Sequence, residues 1–409
     1  MKREIGIRLI LTVLFLLIPA TQSGAQSELQ PSSVPGIMVQ QGFDAEIFAL
    51  DLNLPVQLAL ESDGSILVMV ASNCGYCPVV RLSQSGNVIA QSNPIQDPDG
   101  VAVDSLGQVY VAGGSNITIA GSLDGGTDEI FATSFWNLNN IAIDSNDRIV
   151  VVQDNGDIYE VTAAGIKVEP PLASFGVNGN ALAFDKTDRL FAGRYDLNSG
   201  PGELYRIDVP GSPTLISSEV NPMAIAVGQG GVFESKVYVA EYYEGTVQRV
   251  DETTGAATLF ASGLDKPHGL VFDSTDALLV SEMDLGRIIR IFHTQIQVQI
   301  DIKPGSYPNS INLGSGGTAP VAILSTNDFD ATTVEPVSVT LASAPVKLKG
   351  KGTPMASFED VNADGLLDQV VHVETQAFEL SETDEEAILE AETSNGIRIR
   401  GLDSVRVVP

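Results

Sequence analysis

A three-residue apolar core returns six times along the chain: Leu58-Ala59-Leu60, Val101-Ala102-Val103, Ile141-Ala142-Ile143, Leu182-Ala183-Phe184, Ile225-Ala226-Val227 and Leu270-Val271-Phe272. Their starts lie 43, 40, 41, 43 and 45 residues apart. Each core runs into a polar turn, such as Asp104-Ser105-Leu106-Gly107 or Asp144-Ser145-Asn146-Asp147, whose residue types suit tight hairpins. A β-branched and aromatic strand follows, as in Val109-Tyr110-Val111-Ala112 and Val237-Tyr238-Val239-Ala240. No helical period interrupts the pattern. A repeat of this length matches one four-stranded propeller blade, so the chain is expected to be all-β, with a six-bladed β-propeller over residues 37–293. Residues 43–50 precede the first core and the sixth repeat runs out near Phe292, so the N-terminal strand is expected to complete the last blade and leave no free sheet edge.

From Ile296 the pattern changes to strict alternation, Ile296-Gln297-Val298-Gln299-Ile300-Asp301-Ile302, closed by the turn Lys303-Pro304-Gly305-Ser306. Residues 296–409 are therefore read as a second domain, a β-sandwich. Inside it stands Asp360-Val361-Asn362-Ala363-Asp364-Gly365-Leu366-Leu367-Asp368. Oxygens of Asp360, Asn362, Asp364 and Asp368 at loop positions 1, 3, 5 and 9, with Gly at 6, would converge on one hard cation, and Ca2+ is the expected cofactor. Val371 replaces the Glu that an EF-hand needs at position 12, and a strand replaces its exit helix. The plain alternative is an Asx-rich turn that binds nothing. The acidic run from Glu382 to Glu392 reads as a solvated loop and strand edge.

Residues 1–25 combine Lys2, Arg3 and Arg8 with an apolar run and Ser23-Gly24-Ala25, the pattern of an export signal, and residues 26–36 read as a linker. The expected protein is secreted or periplasmic. A formal net charge of −30 disfavours nucleic acid and anionic lipid and favours divalent cations. The two cysteines, Cys74 and Cys77, form Cys-Gly-Tyr-Cys in an exported chain, which favours a loop-clipping disulfide over redox chemistry.

Function in such a ring is sought at the mouth of its channel. Two residues before the cores lie Val56, Asp99, Asn139, Asn180, Met223 and His268, and the second strands end at Val70, Gly113, Gln153, Arg194, Glu241 and Glu282. Asp99, Asn139, Asn180 and Glu241 offer ligands for a second divalent metal, with His268 and Glu282 as candidate catalytic groups. Phe135 and Trp136 could form a platform for a carbohydrate ring, or simply pack. The sequence contains no nucleophile elbow, zinc helix or phosphate loop.

The turns and cores, for example Pro98-Asp99-Gly100-Val101-Ala102-Val103-Asp104 with Gly107-Gln108-Val109-Tyr110-Val111-Ala112, resemble the NHL-repeat and SMP-30/gluconolactonase group of six-bladed propellers. Members of the latter hold one metal through a Glu, two Asn and an Asp. Asn139, Asn180 and Asp99 are similar to three of these, although here the Asp precedes the Asn pair and Val56 stands at the place of the Glu. The segment Lys266-Pro267-His268-Gly269-Leu270, with Glu282 fourteen residues after His268, resembles the streptogramin lyases, whose His acts as a base beside acidic metal ligands. Lys266 stands where that family has an acidic residue. The stretches Ile300-Asp301-Ile302-Lys303-Pro304-Gly305-Ser306, Asn309-Ser310-Ile311-Asn312-Leu313 and Pro320-Val321-Ala322-Ile323-Leu324 resemble a β-rich accessory module at the C-termini of secreted prokaryotic proteins, a resemblance that covers residues 296–409. The resemblances imply a small ligand or metal at the mouth and either a metal-assisted lactonase-type hydrolase, a C–O lyase, or a non-catalytic binding or cell-surface module.

Overall fold

Each apolar core becomes the innermost strand of an antiparallel sheet. The computed structural model describes residues 29–70, 75–196, 201–208, 213–230, 233, 235–327, 329–394 and 397–408. Among them there is no α-helix, only 3-10 turns between strands. The first unit is Pro55–Leu60, Ile66–Val70, Val79–Leu82 and Val88–Gln91, and the fourth is Gly179–Phe184, Leu190–Arg194, Glu203–Ile207 and Pro213–Ser217. The second and third units are joined by one long strand, Glu129–Ile143. Its first half pairs with the end of Val109–Ile119 and its second half with Ile149–Gln153. The inner strands touch in chain order, and Pro267–Phe272 of the last unit returns to Pro55–Leu60 of the first. This is a β-propeller.

Between every pair of neighbouring sheets sits an apolar cluster, because period-2 strands buried on both faces read as continuous Val, Ile, Leu and Ala runs. Val56, Leu67 and Met69 of the first unit meet Val101, Val109 and Val111 of the second, and Leu58, Ile66 and Val68 meet Leu279 and Ile288 of the last. The cluster between the fifth and sixth units is aromatic, with Phe43, Phe233, Tyr238, Phe260 and Phe272 edge-on or tilted at 4.9–6.0 Å. The hairpin turns are latched to one another as well. Ser105 donates its backbone N–H and hydroxyl to Asp147 of the next turn at 2.7 Å each, and Ser145 does the same to Asp188 at 2.9 and 2.8 Å.

Phe43–Ala49 lies antiparallel to Arg287–His293 as the outer strand of the last unit. The preceding segment departs from its reading as a linker. Leu29–Pro31 pairs with Met38–Gln40, which in turn pairs with Ala257–Ser262 on the edge of the fifth unit. The reason is apolar content. Val34, Ile37 and Val39 are buried in the same cluster as Phe43 and Phe260.

The described part of residues 295–408 forms two larger sheets over one core, with a parallel pair, Ser310–Asn312 and Arg406–Val408, beside them. The first contains Gln295–Val298, Arg398–Ser404, Glu386–Glu392, Thr340–Leu341 and Ala344–Pro345; the second contains Ile300–Ile302, Thr318–Ile323, Asp368–Glu374 and Ala356–Glu359. Ile302, Val321, Ile323 and Val371 of one pack with Leu341, Leu389 and Ile399 of the other. The run from Glu386 to Glu392 alternates exposed Glu386, Ile388 and Glu390 and half-buried Glu392 with buried Ala387, Leu389 and Ala391, so its charge belongs to the outer face of a strand.

Candidate functional site

The inner strands reach the channel mouth through β-bulges. Pairing skips Asp99 between Pro98 and Gly100, Asn139 between Leu138 and Asn140, Asn180 between Gly179 and Ala181, and the pairs Val56-Gln57 and His268-Gly269 in the first and last units. A residue left out of the ladder is free to turn its side chain away from the sheet, which is how bulges re-aim side chains beside sites. Asp99, Asn139, Asn180, Met223 and His268 accordingly line one cavity of about 170 Å³, together with Gln57, Asp154, Asn178, Gly179 and Tyr195. The first unit contributes Gln57 rather than Val56, which is buried between sheets. Gly269 lets the last strand close on the first: a Cβ there would lie 2.1 Å from the Val56 carbonyl, to which Ser281 donates its hydroxyl at 2.6 Å.

Glu241 and Glu282 do not join the others in this cavity. Glu241 accepts the Asn221 N–H at 3.0 Å, the Thr246 hydroxyl at 2.7 Å and the Gln248 amide at 3.0 Å. Glu282 is 0% exposed, accepts the Asp265 N–H at 2.7 Å and is ion-paired with Arg287. Gln153 takes the Trp136 N–H in the same way at 2.5 Å. An oxygen at the end of the second strand thus ties down the connection entering its own unit in three places. Successive strand residues point to opposite faces, so it is the following residue, Asp154 or Tyr195, that reaches the cavity. Those two, and Gln57, escape a reading anchored on the strand ends; counting one residue further would have found Asp154 and Tyr195.

The chemistry of the cavity is that of partly dehydrated groups. Burial, reinforced by the neighbouring Asp97 and Asp154 carboxylates, pushes Asp99 up to about 7. Burial holds the imidazole of His268 down to about 4, so it is neutral at physiological pH. Its Nδ1 is buried without a hydrogen-bond partner, and so is the hydroxyl of Tyr195, a residue only 4% exposed. Tyr242 meets the His268 ring edge-on at 5.9 Å. Asn139 and Asn180 donate their amide groups to the Gly179 and Met223 carbonyls of the following units at 2.8 and 2.6 Å. Phe135 is buried, with Lys167 over its ring at 5.8 Å, whereas Trp136 is 69% exposed, so they do not form one platform.

In the C-terminal loop, Asp360, Asn362 and Asp364 lie together at the surface. Asp360 accepts the Asp364 and Gly365 N–H groups at 3.1 and 3.0 Å, and the Asn362 amide donates to Asp364 at 2.9 Å. Asp368 is turned away from them. It is 0% exposed, and its two oxygens accept the Ser325 and Val361 N–H groups at 2.8 and 2.9 Å. Its buried position in the second sheet makes it an anchor for the loop instead of the expected fourth ligand. Among the described residues no group of three or more His, Cys, Asp or Glu could hold a metal ion. Cys77 is buried and disulfide-bonded, and Cys74 lies outside the described residues, as do residues 1–28 and the signal read there. No helix among the described residues is long and apolar enough to cross a membrane.

No family model matches the chain, nor does any curated protein sequence. Solved structures do match. A Trichoderma reesei enzyme of carbohydrate-active family AA12 aligns at a TM-score of 0.50 with 13% identity, over 65% of this chain and 99% of its own. A putative oxidoreductase (glucose dehydrogenase) from Thermus thermophilus gives 0.49 and 14%, over 61% and 100%. A streptogramin B lyase gives 0.42 and 16%, over 61% and 97%. The likeness is one of fold: these are β-propeller proteins.

Proposed function

We propose that this is an exported propeller that binds a small polar ligand at the channel mouth, with His268 as the base in any turnover there. The observation that carries the reading is convergence. Bulges in five separate units bring Gln57, Asp99, Asn139, Asn180 and His268 to one cavity, where two buried polar atoms have no partner in the protein. An unsatisfied buried group costs about 1–3 kcal/mol, which a polar ligand or ordered water offsets. An imidazole that is neutral across the physiological range keeps a lone pair with which to take a proton in a hydrolase or lyase step, while the burial that keeps it neutral also weakens it as a base.

The cavity does not supply the ligand set that a metal-assisted step of the lactonase kind needs. Asp99, Asn139 and Asn180 share the cavity, but Glu241 and Glu282 are committed elsewhere and no acidic side chain comes from the first unit. For the C-terminal loop, calcium binding rests on Asp360, Asn362 and Asp364 alone, and the disulfide is assigned to Cys74 and Cys77. Export rests on residues 1–25. The test of the main reading is a screen of lactones, esters, cyclic depsipeptides and aldoses, scored for turnover and for a rise in melting temperature. His268→Ala is expected to reduce any turnover by roughly 100-fold or more while the fold survives. Binding without turnover identifies a non-catalytic module; the absence of both across the screen would overturn the reading.

A further inference from the structure

The mouth is rich in acceptors: the carboxylates of Asp99 and Asp154 and the amide oxygens of Asn139 and Asn180 line it, beside the Gln57 and Asn178 amides and the Tyr195 hydroxyl, which can also donate. The Asn139 and Asn180 amide nitrogens already donate to the Gly179 and Met223 carbonyls, which leaves the Oδ1 atom of each able to accept from a ligand. Asp99 carries a carboxylate held by no hydrogen bond, and Asp154 adds a second acid. Among the described residues no lysine or arginine lines the cavity. Lys266, two residues before His268, is paired with Asp284 at 2.5 Å, and Arg194, next to Tyr195, with Glu203 at 2.6 Å. Beside the acceptors runs an aromatic arc. Tyr195 stacks on Tyr243 at 6.3 Å, Tyr243 meets Tyr242 at 5.1 Å, and Tyr242 meets His268.

We infer that the ligand class is a small organic ammonium ion, its N–H groups donated to Asp99, Asn139 and Asn180 and its carbon skeleton laid against Tyr195. The inference rests on the mouth being a ligand site and names what enters it. Carboxylates without a cationic partner call for a positive charge, and aromatic faces attract ammonium groups through their quadrupole. The unpartnered Tyr195 hydroxyl, buried and lining the cavity, adds a further acceptor. A bare calcium ion needs six to eight oxygens at about 2.3–2.6 Å, whereas an ammonium needs a few acceptors at ordinary hydrogen-bond distance and brings a skeleton to fill the space.

The test is calorimetric titration of the full chain with n-butylammonium, 1-butanol, butyrate and calcium chloride. Butylammonium should bind, and butanol and butyrate should not. Asp99→Asn should weaken it on the order of 10- to 100-fold, the scale of a charge-assisted bond, and Tyr195→Phe by a smaller factor. Melting curves establish that the variants are folded, and Asp154→Asn serves in place of an Asp99 variant that is not. Butanol binding as well as butylammonium would remove the ammonium assignment, as would calcium binding through Asp99 in the absence of any amine binding; both leave the mouth a ligand site. Silence of every probe together with a blank turnover screen would sink the site itself.

Discussion

Asp99 and His268 occupy one cavity and are shifted in opposite senses, so each leaves its own mark on stability as pH changes. Asp99 ionises near 7 in the folded chain against an ordinary value of 3.8. Between those values folding takes up a proton, so its contribution falls as pH rises through that window and is flat above it. His268 goes from 6.5 to about 4, so its contribution is lost as pH falls through that interval. Denaturation at pH 5, 6, 7 and 8 should show Asp99→Asn gaining on the parent with rising pH. Denaturation between pH 4 and 6.5 should show His268→Gln gaining as pH falls. Parallel curves for parent and variants would mean that neither group is perturbed. Asp368 offers a second check. Its replacement by Ala strands the Ser325 and Val361 N–H groups, at about 1–3 kcal/mol each, whereas Asp364→Ala in the same loop touches only exposed partners. Equal melting of these two variants would contradict the anchoring role. Asp99, Asn139, Asn180 and His268 were legible as mouth positions because the inner strands of five units bulge at the same offset from a visible apolar triplet. Glu241 and Glu282 misled because sequence reveals that a strand ends in an acid but not which face that last residue takes, and a phase error of one residue exchanges a ligand for a staple.

At the scale of strands, the N-terminal segment closes more than the pattern of cores suggests. Phe43–Ala49 was legible as the missing outer strand of the last unit, since that repeat stops one strand short. The pairing of Leu29–Pro31 and Met38–Gln40 onto the fifth unit was not, since three-residue strands carry too little alternation to register. A chain beginning at Leu54 would uncover the edges of two sheets and the aromatic cluster around Phe43. It should melt well below the full chain and aggregate. Phe43→Ala alone should cost about 3–5 kcal/mol, the usual loss for a buried aromatic. An unchanged melting temperature for the truncated chain would exclude a closing role for this segment.

Taken whole, the molecule pairs a ring whose mouth is built from bulges with a two-sheet unit whose acidic run is solvent-facing. The fold was readable because a repeat multiplies weak signals, each core confirming the spacing of the others, whereas the C-terminal unit offered no repeat and its strand order emerged only from the structure. The acidic loop can be tested in the intact protein. Any calcium held by Asp360, Asn362 and Asp364 should raise the melting temperature relative to chelator by linkage, and Asp364→Ala should abolish the rise. Identical melting in calcium and chelator would reduce the loop to a turn.

The union of Phe43–Ala49 with the last sheet of the ring also sets the order of events at birth. Residues 43 and 293 are partners in one ladder, yet ribosomal synthesis at about 5–20 residues per second separates their appearance by roughly 12 to 50 s. During that interval an apolar strand has been made and its mate has not. The ring cannot be sealed vectorially, and contacts of such long range are slow to form. The nascent chain therefore carries a sticky N-terminal segment until its final sheet emerges, an interval in which a holdase or continued transit in an unfolded state would protect it from pairing with the edge of another copy.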